Sequence, residues 1–269
     1  MKANILRHEF QGHLRSALRW SLSVAALILV FFSIFPSFAS SAATMNQLMA
    51  NFPPELLEAF GMNGLDMASV LGFFGLLFLF VQICLAIQAG SYGFGLVSIE
   101  ESELTADFLI TKPVSRTHIL NSKLLAVLAC LLITDLAVWL SSLAGIALFT
   151  GSREVDLGTL VLLLFSLPVF QLFFLSVGLI ISLLVKRVRS VTPYALGLGF
   201  GMYVLSAFSG IGDVAALELI TPFKHFDARY IVQHAAYDLP LVLLDLAVSA
   251  VSLVAVYWLY VRRDIRAVV

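Results

Sequence analysis

The chain has 269 residues, a formal net charge of −1, 60% hydrophobic residues and only 12% charged ones. Its mean hydropathy is +0.99. Soluble domains carry about a quarter charged residues, so the composition excludes a soluble globular domain and requires an integral membrane protein; the charge balance gives no basis for a nucleic-acid partner.

In chain order, residues 1–19 place Ile5, Leu6, Phe10, Leu14 and Ala17 at helical spacing beside Lys2, Arg7, Arg15 and Arg19. That pattern is an amphipathic helix suited to lying in a headgroup layer. Residues 20–38 form a first charge-free span. A cleaved signal peptide is the rival reading, because small residues follow at 39–42, but the basic region and the apolar run are both too long for one. Residues 40–68 hold no Lys or Arg, and Pro53 to Gly61 read as a short helix opened by proline and acids and closed by glycine.

Further spans are expected at 70–92, 124–149, 157–185, 191–209 and 239–261, with Pro168 as a kink in the fourth and Gly197, Gly199 and Gly201 loosening the fifth. The predicted fold is all-α, a single 1–269 domain of six transmembrane helices with no separable soluble part. Six spans put both termini on one side. Placing them in the cytoplasm leaves thirteen of the sixteen Lys and Arg inside and only Arg153, Lys224 and Arg229 outside, which fixes the expected orientation in the cell membrane.

The longest charged stretch, 100–123, follows the second span. Glu100, Glu101, Glu103 and Asp107 lead, Phe108, Leu109 and Ile110 follow, and Lys112 and Pro113 close. Acids at the start, a base at the end and a terminating proline suit a short cytoplasmic helix with an apolar patch. An ordinary solvated loop is the plain alternative.

This stretch resembles the signature between the second and third spans of type-2 ABC exporter permeases: clustered acids, Thr105, Asp107, three apolar residues, then Pro113-Val114-Ser115-Arg116 and Lys123. Leu104 stands where the family has glycine, and Ala106 where it has leucine. Residues 54–60 and 221–227 are also similar to recurrent family segments, so the resemblance covers the whole chain. It implies a permease that forms a translocation pathway with a second copy or a paralogue. It also implies that Glu100, Glu101, Glu103, Asp107, Phe108, Leu109, Pro113 and Arg116 form or flank a coupling helix docking on a separate ATPase subunit. ATP and magnesium would then belong to that partner. In agreement, none of the five lysines ends a G-x-x-x-x-G-K-[ST] loop, so the chain has no P-loop nucleotide site of its own.

Asp135 and Asp245 are the only charged residues inside the spans. Intramembrane acids are costly and face a bundle interior or water. They read either as pathway contacts or as acids satisfied by hydroxyls such as those of Thr134 or Tyr257, or protonated in place. An ATP-independent transporter or channel using both acids as a relay is therefore the alternative function. Gln82, Gln88 and Gln171 suit interhelical hydrogen bonds.

The remaining polar and reactive groups read as structural. Met45, Met49, Met62 and Met67 suit interfacial packing rather than copper(I). Cys84 and Cys130 read as buried small side chains with no metal spacing. All five histidines fall in loops or in the N-terminal segment, which leaves an intramembrane enzyme without its catalytic groups. Between 210 and 238, Val214, Leu217, Leu219, Ile220, Phe223 and Phe226 are too apolar for a free loop. They are expected to dip into the outer interface as short helices, as a gate by family resemblance or as a plain surface helix otherwise.

Overall fold

The computed structural model describes residues 2–41, 44, 47–48, 51–53, 56–57, 61–62, 64–102, 115–185, 188, 190–212 and 215–262. Most of the acidic-to-proline stretch, residues 103–114, lies outside them, as does most of the segment between Pro53 and Gly61.

The described chain is helical, with α1 (Lys2–Ser40), α2 (Val70–Ser102), α3 (Arg116–Phe149), α4 (Leu157–Leu184), α5 (Val191–Gly212), three short helices α6 (Ala215–Glu218), α7 (Pro222–His225) and α8 (Ala228–His234), and α9 (Leu239–Arg262). Six of these, α1 to α5 and α9, are long and apolar enough to cross a membrane; a hydrocarbon core needs about 20 apolar residues. The protein is an all-α polytopic membrane protein. Residues 2–19, expected as a separate interfacial helix, and the apolar run after them form one unbroken helix, α1.

Local chemistry sets several boundaries. Ser115 caps α3, its hydroxyl accepting from the His118 N–H. Asp156 caps α4 by accepting from the Gly158 N–H at 2.9 Å and the Thr159 hydroxyl at 2.6 Å. Such oxygens satisfy amides that a helix start leaves without partners. Pro168 sits inside α4 and cannot donate to the carbonyl of Leu164. The indole Nε1 of Trp139, on α3, donates to that carbonyl instead at 3.2 Å.

The end of the bundle where α2 leads into 103–114 is called basal below, and the opposite end distal. Three contacts set the register of α1 against α3. Glu9 meets Lys123 at 3.4 Å, Ser21 meets Thr134 at 3.3 Å, and Phe32 packs on Gly145 so closely that a Cβ there would lie 2.4 Å from its ring. The numbering offset stays almost constant, so the two helices run parallel along their shared length. α2 and α4 form a second parallel pair, brought together at Gly93, where a Cβ would lie 2.4 Å from the Leu175 carbonyl, and at Gly178. Small residues allow this close backbone approach, the usual way helices pack when lipid supplies no hydrophobic drive. α5 and α9 lie on this four-helix core and bury few of their residues fully.

Candidate functional site

Buried apolar residues divide into two cores stacked along the bundle. The distal core takes Val24 and Ile28 from α1, Val81 and Leu85 from α2, Val138 from α3, and Leu163 and Leu167 from α4. The basal core takes Ala17 from α1, Ala89 and Leu96 from α2, Cys130 and Leu131 from α3, and Phe170 and Phe174 from α4.

On each of the four helices a polar residue falls at the seam between these cores or within one turn of it: Ser21 on α1 and Thr134 and Asp135 on α3 between them, and Gln88 on α2 and Gln171 on α4 just to the basal side. All are buried. Thr134 is the hub. Its hydroxyl oxygen accepts from Gln88 Nε2 at 2.8 Å and from Ser21 Oγ at 3.3 Å. The layer is not satisfied internally: both carboxylate oxygens of Asp135, both amide atoms of Gln171 and Oε1 of Gln88 lack a hydrogen-bond partner among the described residues. Native interiors leave few such groups, and each calls for a cause.

Asp245 belongs to the same depth. Tyr257 Oη donates to Asn121 Oδ1, tying α9 to α3. From that contact, at about 1.5 Å per residue, Asp135 lies about 21 Å up α3 and Asp245 about 18 Å up α9. The carboxylate of Asp245 faces His225 of α7, with Nδ1 3.1 Å from Oδ1, and both side chains are buried. Helix α7 thus reaches well below the distal end of α9. Its neighbours Phe223 and Phe226 join the basal core and make edge-on contacts with Phe170. Gln82 Nε2 donates to the Phe226 carbonyl at 3.0 Å, and the Thr221 hydroxyl to the Met202 carbonyl at 3.0 Å. The connection between α5 and α9 is therefore fastened to α2, α4, α5 and α9.

The hydroxyl partners considered for the two acids do not serve them: Thr134 bonds Gln88 and Ser21, and Tyr257 bonds Asn121. Gln82 and Gln88 make the interhelical bonds expected of them, whereas Gln171 has no such partner among the described residues. The pairing of His225 with Asp245 was not legible from the sequence, where His225 reads as a loop residue. The one available signal was its place between Phe223 and Phe226 in a segment too apolar to be free.

At the basal end, Lys123 is buried and its Nζ donates to the Leu96 carbonyl at 3.1 Å while pairing with Glu9. Arg116 donates to the Val261 carbonyl at 3.3 Å. Glu100 and Glu101 lie on the last turn of α2. Glu103, Asp107, Phe108, Leu109 and Pro113 are outside the described residues.

A family model described as "ABC-2 family transporter protein" matches residues 3–265. The chain belongs to this family. The match takes in all six apolar helices and the polar layer they enclose, so the buried acids lie within a membrane transport protein. No curated protein matches the chain.

Proposed function

We propose that this ABC-2 family protein is the membrane-spanning permease subunit of an ATP-driven exporter. Two copies, or this chain and a paralogue, form the translocation pathway. Separate ATPase chains dock on the 100–116 stretch and supply ATP and magnesium chemistry that this chain lacks. The family match along 3–265 carries the reading.

The basal geometry supports the docking site. Residues 103–114 join the end of α2 to the start of α3, and Lys123 and Arg116 tie these helix ends to α1, α2 and α9. A push on that stretch would therefore reach four helices of the bundle. The Lys and Arg distribution supports a cytoplasmic basal end with both termini inside the cell membrane. On this orientation α7 is a re-entrant element of the outer side. Alternation between inward- and outward-open states would then require the α7 anchors or the seam between the cores to rearrange.

Co-purification with an ATPase encoded nearby tests the reading. The triple substitution Glu100→Lys, Glu101→Lys, Glu103→Lys should abolish it while leaving the permease in the membrane. The buried acids favour one other reading, an ATP-independent relay through Asp135 and Asp245. Transport by the purified chain alone in liposomes, driven by a pH gradient without ATP, would establish that reading and overturn the first.

A further inference from the structure

We propose that Asp135 is a proton-binding site at the seam between the two cores, holding its proton while the bundle is packed as in this structure. The inference stands under either reading of the transport function.

Asp135 is 3% exposed. Neither of its oxygens receives a hydrogen bond or an ion pair from any described residue. An ionised carboxylate in such a place has lost its hydration and gained nothing in return, which low-dielectric interiors penalise heavily. The two ways out are a bound cation and a bound proton. A metal cation such as sodium requires several oxygens converging on one point. Here Thr134, the nearest hydroxyl in sequence, is engaged with Gln88 and Ser21, and the layer's other unpartnered oxygens, on the amides of Gln88 and Gln171, carry no charge of their own. A proton needs only the carboxylate itself.

The ionisable groups on the packed elements also supply no counter-charge at this level. On α1, Arg19 is exposed and donates to the Arg15 carbonyl, and His13 faces Tyr92. On α2 the neighbouring groups are Cys84 and Tyr92, and on α3 Cys130, all neutral in their protonated forms. α4 has no ionisable side chain between Leu157 and Leu184. On α9 the group at this depth is Asp245, an acid already facing His225.

The site also has a natural release step. Because the layer is the seam between two apolar cores, parting them would expose Asp135 to water and favour loss of the proton. The packed form then binds one proton more than the parted form.

Infrared spectroscopy of the full chain in lipid vesicles at neutral pH tests this directly, without needing a substrate or an ATPase. The carbonyl stretch of a protonated carboxylic acid should be present, should persist in Asp245→Asn, and should vanish in Asp135→Asn. Asparagine has the shape of the neutral acid, so this variant should remain folded. Should it fail to fold, loss of the band on raising the pH of Asp245→Asn reports the same group. A spectrum unchanged by Asp135→Asn, or a band that no alkaline pH removes from Asp245→Asn, overturns the proposal. So does a band that disappears when sodium replaces choline at constant pH and ionic strength, since the bound charge would then be a metal cation.

Discussion

His225 and Asp245 pair inside the bundle, Nδ1 to Oδ1 at 3.1 Å, with Nε2 and Oδ2 left without partners among the described residues. The pair joins a four-residue helix, too short to hold itself, to a membrane-crossing one. Removing one partner leaves the other's polar atoms buried without a bond, typically at a cost of about 1–3 kcal/mol. His225→Ala and Asp245→Ala should each lower the thermal stability of the detergent-purified protein. The double variant should lose clearly less than the sum of the two, since no buried partner is then left unsatisfied. Additive losses would mean that the two groups do not interact.

Trp139 and Pro168 make a second coupled pair, through the Leu164 carbonyl. Trp139→Phe should cost about 0.5–2 kcal/mol for the lost hydrogen bond, besides the packing of its ring on Phe165 at 4.5 Å. Pro168→Ala restores an amide that can donate to Leu164, so Trp139→Phe should cost less in that background. Denaturant unfolding of the four proteins gives the coupling, and a zero value would show that the indole is not replacing the missing amide.

The sequence and the structure part company in an instructive place. The apolar runs around residues 20–38, 70–92 and 124–149 are visible because each must satisfy its backbone internally in lipid and so becomes a helix. What cannot be read is which faces meet. Gly145 looks like any other glycine of an apolar run until Phe32 is found against it. Asp135 was legible as an intramembrane acid, but its level with Ser21, Gln88 and Gln171 depends on the offset between helices far apart in the chain, which no local pattern encodes. His225 was missed for the same reason: helical periodicity locates a face, not the partner brought to it by a long connection.

Lys123 and Glu9 hold the basal end, with side chains 5% and 18% exposed. Glu9→Gln removes the charge opposite a buried ammonium and should loosen the first half of α1 from α3. Hydrogen–deuterium exchange should then rise severalfold between residues 5 and 20 while the distal halves of α1 and α3 stay protected. Combining it with Lys123→Gln, which can still donate to Leu96, should recover part of the protection because the buried ammonium is then gone as well. Uniform loss of protection along both helices would mean that the pair supports the whole fold rather than this end.

Asp156 offers a titration outside the spanning helices. The Thr159 hydroxyl, and then the Gly158 amide, bond its charged form and hold its pKa below the ordinary carboxylate value of about 3.9. With the folded pKa lower than the unfolded one, the contribution is fully present above the unfolded value and disappears as pH falls through the folded value. Asp156→Asn keeps an oxygen for the Gly158 amide but cannot titrate. The stability difference between the wild type and this variant should therefore be constant near neutral pH and shrink below about pH 4. Comparing the two proteins at each pH removes the contribution of every other acid. A difference that grows on acidification would mean that Asp156 is bound more tightly as the neutral acid, against the hydrogen bonds that cap α4.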